Sequence, residues 1–225
     1  MKVIWLGQAG LLFDFDGIRV MIDPYLSDSV GKIDPEKHRR VPVDESFFDV
    51  QPDIIIFTHD HLDHYDPETV KRFVTDETKI TVLSPWSVYS KVRTIGGKNN
   101  FVLFDSHTVW NEIGVRFYAV KAKHSDPCAI GVIIENDGKK YYVTGDTLLN
   151  EDVFTDIPDD VYAVFLPVNG VGNNMNMLDA KEFCSRINAK YVVPMHCGLF
   201  DSIDMNNLDC ENKIVPQFYK EVFFE

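Results

Sequence analysis

The feature that most constrains this 225-residue chain is a short apolar run, Ile54–Phe57, that stops at Thr58 and passes at once into His59-Asp60-His61-Leu62-Asp63-His64. A continuous apolar run of this length reads as a strand buried on both faces. Behind it, three of the chain's seven histidines and two aspartates fall within six positions. A strand-end loop is where a rigid scaffold presents functional groups. Imidazole and carboxylate are ligands for Zn²⁺, Mn²⁺ or Fe, and His59 and His61, two residues apart, can reach one ion. Asp63 and His64 lie one step on and could hold a second. The plain alternative is a solvated loop or a helix cap, which gives no reason for so many ligand types behind Ile-Ile-Ile-Phe.

Around this segment, short apolar runs alternate with turn signals. Lys2–Leu6, Leu11–Phe15 and Arg19–Ile22 read as strands, the last two joined at Asp16-Gly17, a hairpin signal. Asp66-Pro67-Glu68 combines an N-cap, a proline at the first helical position and an early acid, so a helix should run to about Val74. Ile80–Leu83 is a further strand, and Pro85–Ile95 looks helical. Strands then dominate: Val115–Val120, Ile130–Glu135, Lys140–Val143, Val161–Leu166 and Lys190–Val193, with a helix over Asp179–Ile187. An amphipathic stretch begins near Asn207. Two strand-rich halves with helices outside predict one α/β domain over residues 1–225, a four-layer α/β/β/α sandwich.

A net charge of −13 disfavours generic binding to nucleic acid or an anionic membrane, so neither is expected as a partner. The longest stretch without charged side chains, Val161–Leu178, holds four Asn and two Gly and does not read as a membrane span. The start of the chain shows no signal-peptide pattern. Cys128, Cys184, Cys197 and Cys210 form no C-x-x-C pair, which suits reduced thiols in the cytoplasm. Cys197, beside His196, reads as a small apolar filler.

Thr-His-x-His-x-Asp-His after an apolar strand resembles the metallo-β-lactamase superfamily, whose fold is the sandwich inferred above. The resemblance implies three further ligands near strand ends: His124 in Val-Lys-Ala-Lys-His, Asp146 in Tyr-Tyr-Val-Thr-Gly-Asp-Thr, and His196 in Tyr-Val-Val-Pro-Met-His. It also implies the arrangement. His59, His61 and His124 would hold one ion; Asp63, His64 and His196 the other; Asp146 would bridge them. Asp23 in Met-Ile-Asp-Pro would support the loop without ligating. Trp5-Leu6-Gly7-Gln8-Ala9-Gly10, Arg39-Arg40-Val41-Pro42 and Leu166-Pro167-Val168-Asn169-Gly170 further resemble the L-ascorbate-6-phosphate lactonase-like branch, which implies Zn²⁺ or Mn²⁺, a cytoplasmic location and a homo-oligomer.

Two ions bridged by a carboxylate hold a water between them and make it hydroxide near neutral pH, so the expected activity is hydrolysis. Asp63 has a second candidate role, orienting that hydroxide or carrying its proton. The expected substrate is a small anionic ester such as a phosphorylated sugar lactone. Arg39 and Arg40, in the densest basic cluster, are the candidates for its anionic end, and Asn169 in the Asn-rich loop is a candidate for a neutral contact. Two other readings stand beside this one. A phosphodiesterase would act on small or cyclic phosphodiesters, and a non-catalytic metal-binding protein would have no need of a bridging carboxylate.

Overall fold

Side chains that alternate between the two faces of each strand, one toward the middle and the next toward the helices, build the molecule outward from its middle. The computed structural model describes residues 1–225. Its first sheet takes β1 (Lys2–Gly7), β2 (Gly10–Phe15), β3 (Ile18–Ile22), β4 (Ile54–Ile56), β5 (Thr81–Ser84) and β6 (Asn100–Leu103) in that spatial order. The second takes β7 (Val109–Glu112), β8 (Val115–Lys121), β9 (Ile130–Asn136), β10 (Lys139–Val143), β11 (Val161–Pro167) and β12 (Tyr191–Met195), also in sequence order. Each sheet begins with antiparallel pairs and ends with parallel ones. The two halves therefore share one plan.

Helices flank both sheets: α1 (Ser29–Ile33), α2 (Pro67–Phe73), α3 (Trp86–Val92), α4 (Glu151–Phe154) and α5 (Met177–Ile187). Strand β4 shows why four layers form. Ile54 and Ile56 enter the large core between the sheets, while Ile55 joins Val70, Phe73 and Val88 in a second cluster with α2 and α3. In β10 the same alternation sends the Tyr141 ring to Phe13 of the first sheet and the Tyr142 ring to Phe183 of α5. Helix α5 buries Ala180, Phe183, Cys184 and Ile187, a helical stripe. The fold is the α/β/β/α sandwich of the metallo-β-lactamase type.

The expected cap of α2 is present: the Asp66 carboxylate accepts from the N–H groups of Glu68 and Thr69, with Pro67 behind it. The amphipathic stretch after Asn207 forms no regular helix. Its backbone is engaged elsewhere. Val222 N–H donates to Val3 and Tyr219 N–H to Trp5 on the β1 edge, and Ile214 N–H donates to Val192 on the β12 edge. The segment is a strap that covers the outer edges of both sheets, where unpaired strand groups would otherwise be exposed. The short helix α1 carries no apolar periodicity that would mark it in the sequence. No helix is long and apolar enough to cross a membrane.

Candidate metal centre

The loops that follow β4, β8, β10 and β12 meet at one rim of the sandwich. They bring seven side chains into two groups, His59, His61, His124 and Asp146 in one and Asp63, His64 and His196 in the other. Within each group the candidate ligand atoms lie within 4.8 Å of one another. Two close approaches hold the rim together. Ile130 N–H donates to the Thr58 carbonyl at 3.0 Å, tying the second sheet to the histidine loop. Gly145 sits at φ +61, where a Cβ would lie 2.7 Å from the Ile130 carbonyl, so glycine lets Asp146 follow tightly behind β10.

The partners of each ring decide which nitrogen faces inward. Asp23, fully buried, accepts from Thr58 N–H at 2.8 Å and from the Thr58 hydroxyl at 2.5 Å. It also accepts from His64 Nδ1 at 2.8 Å, which leaves His64 Nε2 as a lone-pair donor. The Thr58 hydroxyl, having donated to Asp23, accepts from His59 Nδ1 at 3.0 Å, so His59 Nε2 is bare. His124 Nδ1 donates to the Asn173 carbonyl at 3.2 Å, and its Nε2 lies 3.1 Å from His61 Nδ1. His61 Nε2 is 3.3 Å from the Ser125 hydroxyl. Outer partners thus turn a nitrogen of His59, His61 and His124 toward the first group and a nitrogen of His64 toward the second.

This convergence is the test of whether a metal fits. His64 Nε2 and His196 Nε2 approach to 3.2 Å, and the Asp146 Oδ1 is 3.3 Å from each. His59 Nε2 and Asp146 Oδ1 are buried with no hydrogen-bond partner. Orphaned lone pairs of this kind are costly unless a cation takes them up. Nitrogen and carboxylate donors together suit Zn²⁺, Mn²⁺ or Fe. The residues fit the group.

The same crowding shifts protonation when the ligands stand alone. Burial lowers His196, but the Asp146 and Asp63 carboxylates overcome it and push the ring up to about 9. His64 also rises, against burial, under Asp146, Asp23 and Asp63. Burial would raise Asp63, yet the His64 and His196 charges carry it well below the usual carboxylate range. His59 falls, from burial and the neighbouring His64 charge. Buried Cys197 is pushed up to about 12 by desolvation, which leaves it an inert filler.

Of the residues singled out for substrate, Asn169 reaches the site, its amide 3.0 Å from His196 Nδ1. The arginines do not. The Arg39 guanidinium donates to the carbonyls of Tyr25 and Val41 and to the Tyr219 hydroxyl, so it braces the strap and the early loop. Arg40 is exposed, with its backbone N–H on the Leu199 carbonyl, and neither arginine lines the cavity over the metal ligands. Two site residues went unassigned in the sequence. The Gln8 amide donates to Asp63 Oδ2 at 2.8 Å, and the Asn174 amide to Asp146 Oδ2 at 2.9 Å. Gln8 sits between glycines at a strand junction and Asn174 in the Asn-rich loop, the only signals either gives.

A family model described as a β-lactamase superfamily domain matches residues 2–196. Among curated relatives, a UPF0173 metal-dependent hydrolase of Staphylococcus carnosus is 28% identical over 232 residues, covering 93% of this chain and 90% of its own. A second, from Carboxydothermus hydrogenoformans, is 28% identical over 206 residues, covering 87% and 84%. Among solved structures, Igni18, a metallo hydrolase from Ignicoccus hospitalis, superposes with a TM-score of 0.80 at 20% identity, covering 100% of this chain and 98% of its own. An isothiocyanate hydrolase from Delia radicum gut bacteria gives 0.78 at 19% identity, covering 100% and 99%.

Proposed function

The chain belongs to the metallo-β-lactamase superfamily, and from that premise we propose that it is a binuclear metal-dependent hydrolase cleaving a small lactone or ester. The observation that carries this reading is Asp146, which groups with His59, His61 and His124 while its Oδ1 lies 3.3 Å from both His64 Nε2 and His196 Nε2. A structural metal site has no use for such a bridge. His59, His61 and His124 would hold one ion and Asp63, His64 and His196 the other. When bound, the ions would supply Lewis acidity toward the oxygen under attack and acidify the attacking water.

The chain's own residues do the rest. Asp63 is held by the Gln8 amide at one oxygen, 3.3 Å from His196 Nε2, and borders the cavity. In this reading it would take the proton of the attacking water as the new acyl C–O bond forms. The same proton then passes to the leaving alkoxide as the old C–O bond breaks, so water plus lactone gives one hydroxy acid. The Asn169 amide fixes the His196 ring, and Asn174 fixes Asp146. The cavity, about 360 Å³, suits a small molecule.

A pH-stat assay of the Zn²⁺- or Mn²⁺-loaded protein on γ-butyrolactone, sugar-lactone phosphates and bis-p-nitrophenyl phosphate tests the proposal. Lactone turnover is expected, falling by at least ~10²-fold in Asp63→Asn, the scale for losing a general base. Cleavage of the phosphodiester alone would move the reading to a phosphodiesterase.

A further inference from the structure

We propose that Lys37 forms an anion subsite in the wall of this cavity, so that the ligand carries a second, non-reacting carboxylate besides the group held at the metal centre. The inference rests on the hydrolase reading for the place of the substrate. It depends on geometry that the reading does not use.

The cavity that borders His61, Asp63, Asp146 and His196 contains one lysine and no arginine, and the lysine is Lys37. It closes a short 3-10 turn, Pro35–Lys37, in which Pro35 fixes the backbone and the Asp34 carboxylate accepts from Glu36 N–H. The turn is therefore preset while the side chain remains free to move. Its Nζ is 3.3 Å from Asp34 Oδ2, and the two side chains are 53% and 43% exposed. A pair so exposed is weak and gives way readily to a better-placed anion. The basic segment that includes Arg39 and Arg40 thus does reach the site, but through a different residue.

Charge matching selects the ligand class. A single ammonium neutralises one negative charge. Asp201 lines the same cavity, its Oδ1 fixed by the N–H groups of Gly198 and Ile203 at 2.9 Å. A fixed carboxylate there repels a dianion more than a monoanion, which favours carboxylate over phosphate beside Lys37. Val30, Val171 and Phe200 line the same space and suit a short aliphatic spacer between the two ends.

The test is calorimetric titration of the Zn²⁺-loaded protein with three pairs matched in carbon number: succinate and butyrate, glutarate and valerate, adipate and hexanoate. At least one dicarboxylate should bind ~10-fold or more tighter than its monocarboxylate, the scale of a charged hydrogen bond. Lys37→Met should bring that ratio close to unity and Lys37→Arg should keep it, with metal content equal in all three proteins. No preference in the wild type, or a preference that survives Lys37→Met, overturns the proposal. Titration with 4-phosphonobutyrate separates the two anions, since a larger loss there than for glutarate in Lys37→Met would assign the subsite to phosphate instead. The titration reads binding and not turnover. A protein that shows the Lys37-dependent preference but opens no lactone therefore keeps the subsite and loses the hydrolase reading.

Discussion

Gln8 adopts a left-handed backbone, φ 51, that non-glycine residues rarely take, and the conformation serves two contacts at once. Its carbonyl accepts from the Trp5 indole at 3.0 Å and from His196 N–H at 3.1 Å, which ties β1 to the loop after β12. Its amide holds Asp63. In Gln8→Ala the carbonyl contacts remain and the fold should survive, but Asp63 loses its outer partner. Retention of the second metal ion against a chelator should weaken by ~10- to 100-fold, the usual cost of losing such a partner. Retention equal to wild type would show that Gln8 is only a turn residue. Nothing in Gly7-Gln8-Ala9-Gly10 marks this role, because the contact depends on Asp63, 55 positions away. The histidines of 59–64 were legible for the opposite reason: their ligand chemistry is packed into one loop.

Among the elements, the junction between β10 and Asp146 is the tightest part of the site. Gly145→Ala would set a Cβ 2.7 Å from the Ile130 carbonyl and 3.0 Å from Thr58 Cβ, in a backbone region that alanine disfavours. The variant should lose about 1–3 kcal/mol, which lowers Tm of a domain this size by roughly 2–12 °C. Thermal denaturation of the metal-free protein checks this, and an unchanged Tm would mean the junction has slack. Strand β4 was readable because a strand packed on both faces, as Ile54 and Ile55 are, shows a continuous apolar run. The strap after Asn207 was not. Its apolar spacing says that one side is buried, but only tertiary structure shows that its N–H groups serve the edges of β1 and β12.

Across the whole molecule, a chain of net charge −13 gathers its site from both halves of the fold. The first half supplies the compact loop, and the second supplies His124, Asp146 and His196 one at a time. Those three were placed in the sequence by family resemblance, since a single histidine at a strand end carries no signal of its own. The substrate side was less legible: Arg39 and Arg40 have the right charge, yet packing commits Arg39 to structure and leaves the cavity to Lys37. If the seven side chains hold two cations as proposed, metal stoichiometry and pH are linked. With His196 raised to about 9 in the metal-free protein, against burial and because of Asp146 and Asp63, a proton must leave before an ion can bind. The most direct measurement is calorimetric titration of Zn²⁺ into metal-free protein at several pH values from ~6 to ~8, in buffers of different ionisation enthalpy. About two ions per chain are expected, with release of at least about one proton and an affinity that rises with pH across the range. A single weak site, or an affinity indifferent to pH, would contradict the two-cation proposal.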